Sequence, residues 1–130
     1  MAQHTQLMHT LSFEADAAIA KYQVVKFGTS DQHADVAGAN ESPIGIALTS
    51  ASAAGECIDV LVFGFVDGVA SAAIAAGDLV GAAANGQLQT ITPGATTGTL
   101  RALGRAWETA SASGDRISVF VNAANPFAAV

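Results

Sequence analysis

A chain that writes the same strand–turn–strand phrase twice has few folds open to it. Residues 44–62 read IGIALTSASAAGECIDVLV, and residues 103–121 read LGRAWETASASGDRISVFV. At an offset of 59 they agree at Gly45, Ala47, Ala51, Ser52, Ala53, Gly55, Ile58, Val60 and Val62, with Glu56 facing Asp115. A second echo lies upstream at an offset of 55, where AIAKYQVV (18–25) faces AIAAGDLV (73–80). The offset grows by four (59 − 55), which places four extra residues of the second copy within PGATTGTLR. The repeated unit covers residues 14–62 and again 69–121.

Each copy reads as β structure. Ile58, Val60 and Val62 fall on one face of residues 57–62, and Ile117, Val119 and Val121 do the same in 116–121. Period-two alternation with β-branched residues is what a half-buried strand requires. Gly55-Glu56 and Gly114-Asp115 punctuate the chain just ahead of those strands, since glycine tolerates positive φ. Further strands are expected at 22–27, 44–49, 61–66, 78–83, 87–91 and 101–107, with Asn85-Gly86 as a hairpin signal. Short helical turns fit only 15–20 and 71–76. Many short strands with regular turns predict an all-β fold, a small sandwich or barrel built from two copies of one β unit. The two copies are expected to pack their Ile/Val faces against each other about a pseudo-twofold, because one copy is too small to bury its own. An N-terminal arm (1–13) and a C-terminal tail (122–130) would flank a single domain at 14–121.

A chain of 130 residues suits one domain with a real core. Charged residues make up 12%, about half of the usual ~25%, and so sparse a charge hints that neighbouring subunits cover part of the surface. The net charge of −6, with only Lys21, Lys26, Arg101, Arg105 and Arg116 as cations, argues against phosphate neutralisation and hence against nucleic acid. Apolar runs break well before the length that spans a membrane, and MAQHTQLMHT lacks the charged and apolar regions of a signal peptide. A single cysteine, Cys57, fits a protein matured in a reducing cytoplasm.

The usual chemical motifs are missing. There is no Gly-Lys-Ser/Thr after a glycine-rich stretch and no G-x-S-x-G elbow. His4 and His9 suit neither a helix face nor a strand face for metal, and TSDQHAD around His33 reads as a polar hairpin loop rather than a calcium loop. Glu14 and Asp16 share a strand face but read as a solvated edge, not a glycosidase pair. Cys57 lies opposite Ile58 and Val60, and its repeat mate is Arg116, so that position is expected to be exposed. Asn40-Glu41-Ser42 matches a glycosylation sequon by chance. Trp107, the mate of Leu48, is expected in the core at a strand end, with an interface anchor as the alternative. No catalytic, cofactor or metal residue emerges.

The pattern AIAAGDLV, then G-x-A (Gly45-Ile46-Ala47; Gly104-Arg105-Ala106), then A-S-A-x-G-E/D and an I-x-V strand resembles the capsid cement family of tailed bacteriophages over residues 14–121. One departure is Lys21-Tyr22-Gln23 where Ala76-Gly77-Asp78 stands in the second copy, which bears on the geometry of that turn. The resemblance implies a protein made in the bacterial host cytoplasm that binds the outer surface of the phage head. It implies homotrimers, the major capsid protein as partner, a stabilising role, and no cofactor. The residues placed at capsid or inter-subunit contacts are Gln3, His4, Leu7, Met8, His9, Leu11 and Phe13 of the arm, with Trp107 and Phe127. Deleting residues 2–10 is expected to weaken capsid binding at nearly unchanged melting temperature. The competing reading is a β-sandwich module for glycan or peptide, which calls for an exposed aromatic cluster or a metal loop.

Overall fold

The computed structural model describes residues 8–92, 100–122 and 128–129. Eleven strands cross these residues: β1 (His9–Ala15), β2 (Val24–Phe27), β3 (His33–Val36), β4 (Gly45–Ala47), β5 (Cys57–Val69), β6 (Leu79–Ala82), β7 (Leu88–Thr90), β8 (Leu100–Arg101), β9 (Gly104–Ala106), β10 (Arg116–Asn122) and β11 (Ala128–Ala129). The fold is all-β, and among the described residues there is no α-helix. The segments that fit helical turns instead place Ile19 and Ile74 in single antiparallel bridges to Ala51 and Ala110.

The first copy closes on itself. Its strands run β1-β3-β2-β4-β5, and β1 pairs again with β5, with Phe13 opposite Ile58 and Glu14 opposite Cys57, to give a five-stranded barrel. The second copy repeats that order as β10-β9-β6-β7 from the far half of β5, which stands where the first copy uses β1, and β7 returns to the residue after β5 through a single parallel bridge, Ala70–Leu88. Registers match residue for residue. Glu14 opposite Cys57 becomes Val69 opposite Arg116, and the parallel pair Ala15–Ala34 becomes the parallel bridge Ala70–Leu88. Strand β5 therefore ends one copy and begins the next without a break, where the sequence suggested two separate strands.

This arrangement corrects the expected pseudo-twofold. Ile58 and Val60 cluster only with first-copy residues, among them Phe13, Ile19, Val25, Ala34 and Ala51. Curling five short strands gives each copy an inside, so it buries its own alternating face. The second cluster holds Ile74, Val80, Leu88, Ile117, Val119 and Val121, and it is joined by Val24, Ala37, Ile46 and Leu61 from the outer face of the first barrel. Val24 and Val25 thus feed different cores from adjacent positions, as do Val60 and Leu61, because successive strand residues point to opposite faces.

The repeated motifs have local causes. In G-x-A, a Cβ on Gly45 would fall on the carbonyl oxygen of Leu61, and one on Gly104 on that of Phe120; only glycine lets these strands approach. In A-S-A-x-G-E/D, the acid closes the turn. Glu56 accepts hydrogen bonds from the Ser52 backbone N–H (3.0 Å) and hydroxyl. Asp115 accepts from Ser111 N–H (2.9 Å), the Ser111 hydroxyl (3.0 Å) and Ala112 N–H (3.2 Å). These bonds hold both carboxyls below their ordinary range, the serine hydroxyl being the largest cause. The departure at Tyr22 leaves the turn intact. Tyr22 adopts φ 73° where Gly77 has φ 92°, and its ring lies beneath the Lys21 ammonium (5.1 Å) and the Arg116 guanidinium (5.0 Å), contacts that offset a backbone conformation costly for a bulky residue.

Candidate functional site

Alternation along β5 sends Phe63 and Phe65 to the face away from the barrel interiors. In the antiparallel register Phe120 of β10 stands directly opposite Phe65, and the Trp107 N–H donates to the Ser118 carbonyl (2.8 Å), which sets the indole beside both rings. Ring centroids are 5.4 Å apart for Phe63–Phe120, 5.1 Å for Phe65–Phe120 and 5.0 Å for Phe65–Trp107, and His9 meets Phe63 at 6.2 Å. Edge-to-face contacts of this kind contribute about 0.5–1.5 kcal/mol each beyond area burial. The rings hold one another, yet Trp107 stays 57% exposed. Beside the ridge lies a shallow groove lined by Leu79, Ala102, Leu103, Arg105, Phe120 and Asn122.

Polar groups fence this surface. The Arg105 guanidinium donates to the Gly77 carbonyl (2.9 Å), Glu108 accepts from Ser118 N–H (2.7 Å), and Arg116 lies 3.8 Å from Asp67. An aromatic centre inside a polar rim is a composition common at protein–protein contact surfaces.

A second cluster sits where the first barrel closes. His33 stands between two carboxylates, with Nδ1 2.6 Å from Asp16 Oδ1 and Nε2 3.2 Å from Glu14 Oε2. Asp16 also accepts from Thr29 N–H (2.8 Å), which with the His33 contact holds its carboxyl below the usual range. Glu14 and Asp16, read as a solvated edge, therefore tie β1 to β3. Their repeat mates are Val69 and Ser71, so the clasp belongs to the first copy alone. His33 heads strand β3 rather than lying within a loop. Among the described residues no group of three or more His, Cys, Asp or Glu is arranged to hold a metal ion. No helix there is long and apolar enough to cross a membrane.

Of the contact residues expected from sequence, Gln3, His4, Leu7 and Phe127 lie outside the described residues. Met8 and Leu11 are exposed, and His9 is exposed against Phe63. Residues 9–13 of the expected arm are strand, paired to β5, and Phe13 is buried in the first core. Trp107 is at the surface rather than in the core. Cys57 is exposed, as its pairing with Arg116 suggested. Sequence reasoning missed Phe63, Phe65 and Phe120; the available signal was their i, i+2 spacing on one strand and the placing of Phe120 in the repeat of that strand.

The fold agrees with the comparisons to known proteins. No curated protein matches the chain. The crystal structure of the head fiber gp8.5 N base of bacteriophage phi29 superposes with a TM-score of 0.67 at 17% identity, covering 90% of this chain and 96% of that one; at that identity the likeness is one of fold. The family model described as phage cement protein matches residues 2–121, which takes in both copies of the repeat, the shared strand and the aromatic ridge. With its doubled barrel and its G-x-A and A-S-A turns, the chain belongs to the phage cement protein family.

Proposed function

We propose that this protein decorates the outer surface of a tailed-phage head as a homotrimer, binds the major capsid protein, and stabilises the expanded shell. The observation that carries the reading is the family match over residues 2–121. It is supported by a surface that leaves Met8, Leu11, Phe27 and Trp107 exposed on a chain with few charges, which suits a protein that works in an assembly. Many copies bridging capsomer joints would sum modest contact energies into resistance to internal pressure. The N-terminal segment up to Met8 and His9 is the part assigned to the capsid.

Quantitative peptide mass spectrometry on density-purified virions tests the proposal. Near-stoichiometric recovery with the major capsid protein, lost after mild chaotrope while the heads persist and then burst at lower temperature, is expected. A few copies per virion, or none, would overturn it.

The ridge also supplies the exposed aromatic cluster that a glycan-binding module calls for. Its rings meet at interplanar angles of 78°, 79°, 53° and 52°, so they are tilted against one another rather than laid out as one coplanar platform. Binding of the isolated protein to a glycan array but not to undecorated heads would favour that second reading.

A further inference from the structure

The internal repeat shows how one barrel of this kind docks on another. Ile46, Leu48 and Leu61 on the outer face of the first barrel enter or pack against the core of the second, and Ile46 Cδ1 lies 3.4 Å from where a Cβ of Gly68 would stand. Hydrogen bonds seal this junction: Gly86 N–H donates to the Ala37 carbonyl (2.9 Å), Asn40 N–H to the Ala82 carbonyl (3.1 Å), and the Gln23 amide to the Asn85 carbonyl (3.0 Å).

Shifting the junction along by one repeat picks out two surfaces that, among the described residues, no further barrel covers. The mates of Ile46, Leu48 and Leu61 are Arg105, Trp107 and Phe120, the last two in the aromatic ridge of the second barrel and Arg105 beside it. On the receiving side, the mates of Val66 and Ala82 are Leu11 and Phe27. Val66 is 9% and Ala82 2% exposed, both within the core that the junction feeds, whereas Leu11 is 54% and Phe27 67% exposed. Among the described residues, three of the four exposed large apolar side chains (Leu11, Phe27 and Trp107, but not Met8) therefore occupy positions that the internal junction covers. Phe13 stands where Gly68 leaves a hole, so the first barrel needs no inserted Ile46, and at that position the ridge carries Arg105 instead.

We propose that the Trp107–Phe120 ridge of one molecule docks on the Leu11–Phe27 surface of a second copy, reproducing between molecules the junction that joins the two barrels within one. The contact is head-to-tail, the kind that forms a closed ring where the rotation between copies closes, as the homotrimer proposed above requires. Asn122 of one copy would then approach His9 of the next, as Phe63 meets Gly64 within β5. This rests on the self-association proposed above and names its surfaces.

The internal junction supplies the test. A Cβ on Gly86 would lie 3.1 Å from Val36 Cγ1, and the corresponding intermolecular pair is Gln32 of one copy with Thr90 of the other. In a Cys57→Ser background, Gln32→Cys and Thr90→Cys proteins are purified separately, then oxidised alone and mixed, with and without undecorated heads. Covalent dimer from the mixture only is expected. Dimer from either protein alone, or none from the mixture under both conditions, would overturn the inference. Trp107→Ala should weaken self-association about 30-fold or more, as truncation of a central tryptophan does, with an unchanged circular dichroism spectrum; undiminished association would equally overturn it. Virion recovery is read separately, so a chain that self-associates in this way yet is absent from heads refutes the decoration role and leaves the interface standing.

Discussion

Phe13 and Gly68 occupy the same place in the two copies of the repeat, one filling its barrel with a ring and the other leaving it open. Phe13 packs among Ile58, Val60 and Ala34 in the first core. At Gly68 the space is taken by Leu88, whose Cδ1 would lie 2.6 Å from an added Cβ, and by Ile46 arriving from the other barrel. One residue thus decides whether that interior place is filled by the barrel's own ring or reached by a side chain of the neighbouring barrel.

Gly68→Ala should accordingly destabilise the protein by about 1–3 kcal/mol, the usual cost of overpacking, because Leu88, whose Cδ1 would lie 2.6 Å from the new methyl, must shift. Gly68→Phe, which copies the first barrel, should cost more by expelling Ile46. Denaturant melts check both; a Phe variant as stable as the parent would show that the barrels do not depend on this entry point.

Ile46→Ala should cost roughly 2–5 kcal/mol, as large-to-small core changes do, although Ile46 sits on the outside of its own barrel. The same substitution at its exposed mate, Arg105→Ala, should change stability by less than about 0.5 kcal/mol. Urea midpoints for the pair measure the difference.

Gly45→Ala and Gly104→Ala place a methyl against the carbonyl oxygens of Leu61 and Phe120. Backbone cannot move aside as a side-chain tip can, so each should cost about 3 kcal/mol or more. Similar losses at the two sites are expected, since the close approach is the same.

Acid should weaken the fold through Glu56 and Asp115. Both carboxyls are held below their unfolded values, so their contribution is fully present above the unfolded pKa and is lost as pH falls through the folded one. Melting temperature should therefore decline as the solution is acidified below the ordinary carboxylate range. The Glu56→Gln, Asp115→Asn double variant should start lower at neutral pH and decline less. Melts followed from neutral pH down to about pH 3, below the reference carboxylate values, check this; parallel curves for parent and variant would count against the turns as the source.

Removing residues 2–7 should leave the melting temperature unchanged and weaken binding to heads. Extending the deletion to residue 10 should also lower stability, because His9 and Thr10 pair with Phe63 and Leu61 of β5. The nearly unchanged melt expected from the sequence for a 2–10 deletion does not allow for this pairing. Thermal melts and head co-sedimentation of both truncations separate the effects.

The amino-acid sequence by itself determined the unit and its chemistry of turns. The period-two runs at 57–62 and 116–121, the glycines of G-x-A and the acids that close A-S-A are local features, and local sterics and hydrogen bonding make them legible. Strands β1 and β3 were less visible, since β1 takes its register from β5, distant in the chain, and β3 is held by β1 as well as by neighbouring β2. Closure was decided only by tertiary structure. Whether an Ile/Val face turns inward on its own copy or toward the other depends on strands curling through the full barrel, and no short-range pattern records that. The ridge followed the same rule. Phe63 and Phe65 announce a shared face, but only the β5–β10 register brings Phe120 and Trp107 to them. Leu61 is buried and its mate Phe120 only half-buried from one cause: the second barrel packs over the outer face of the first.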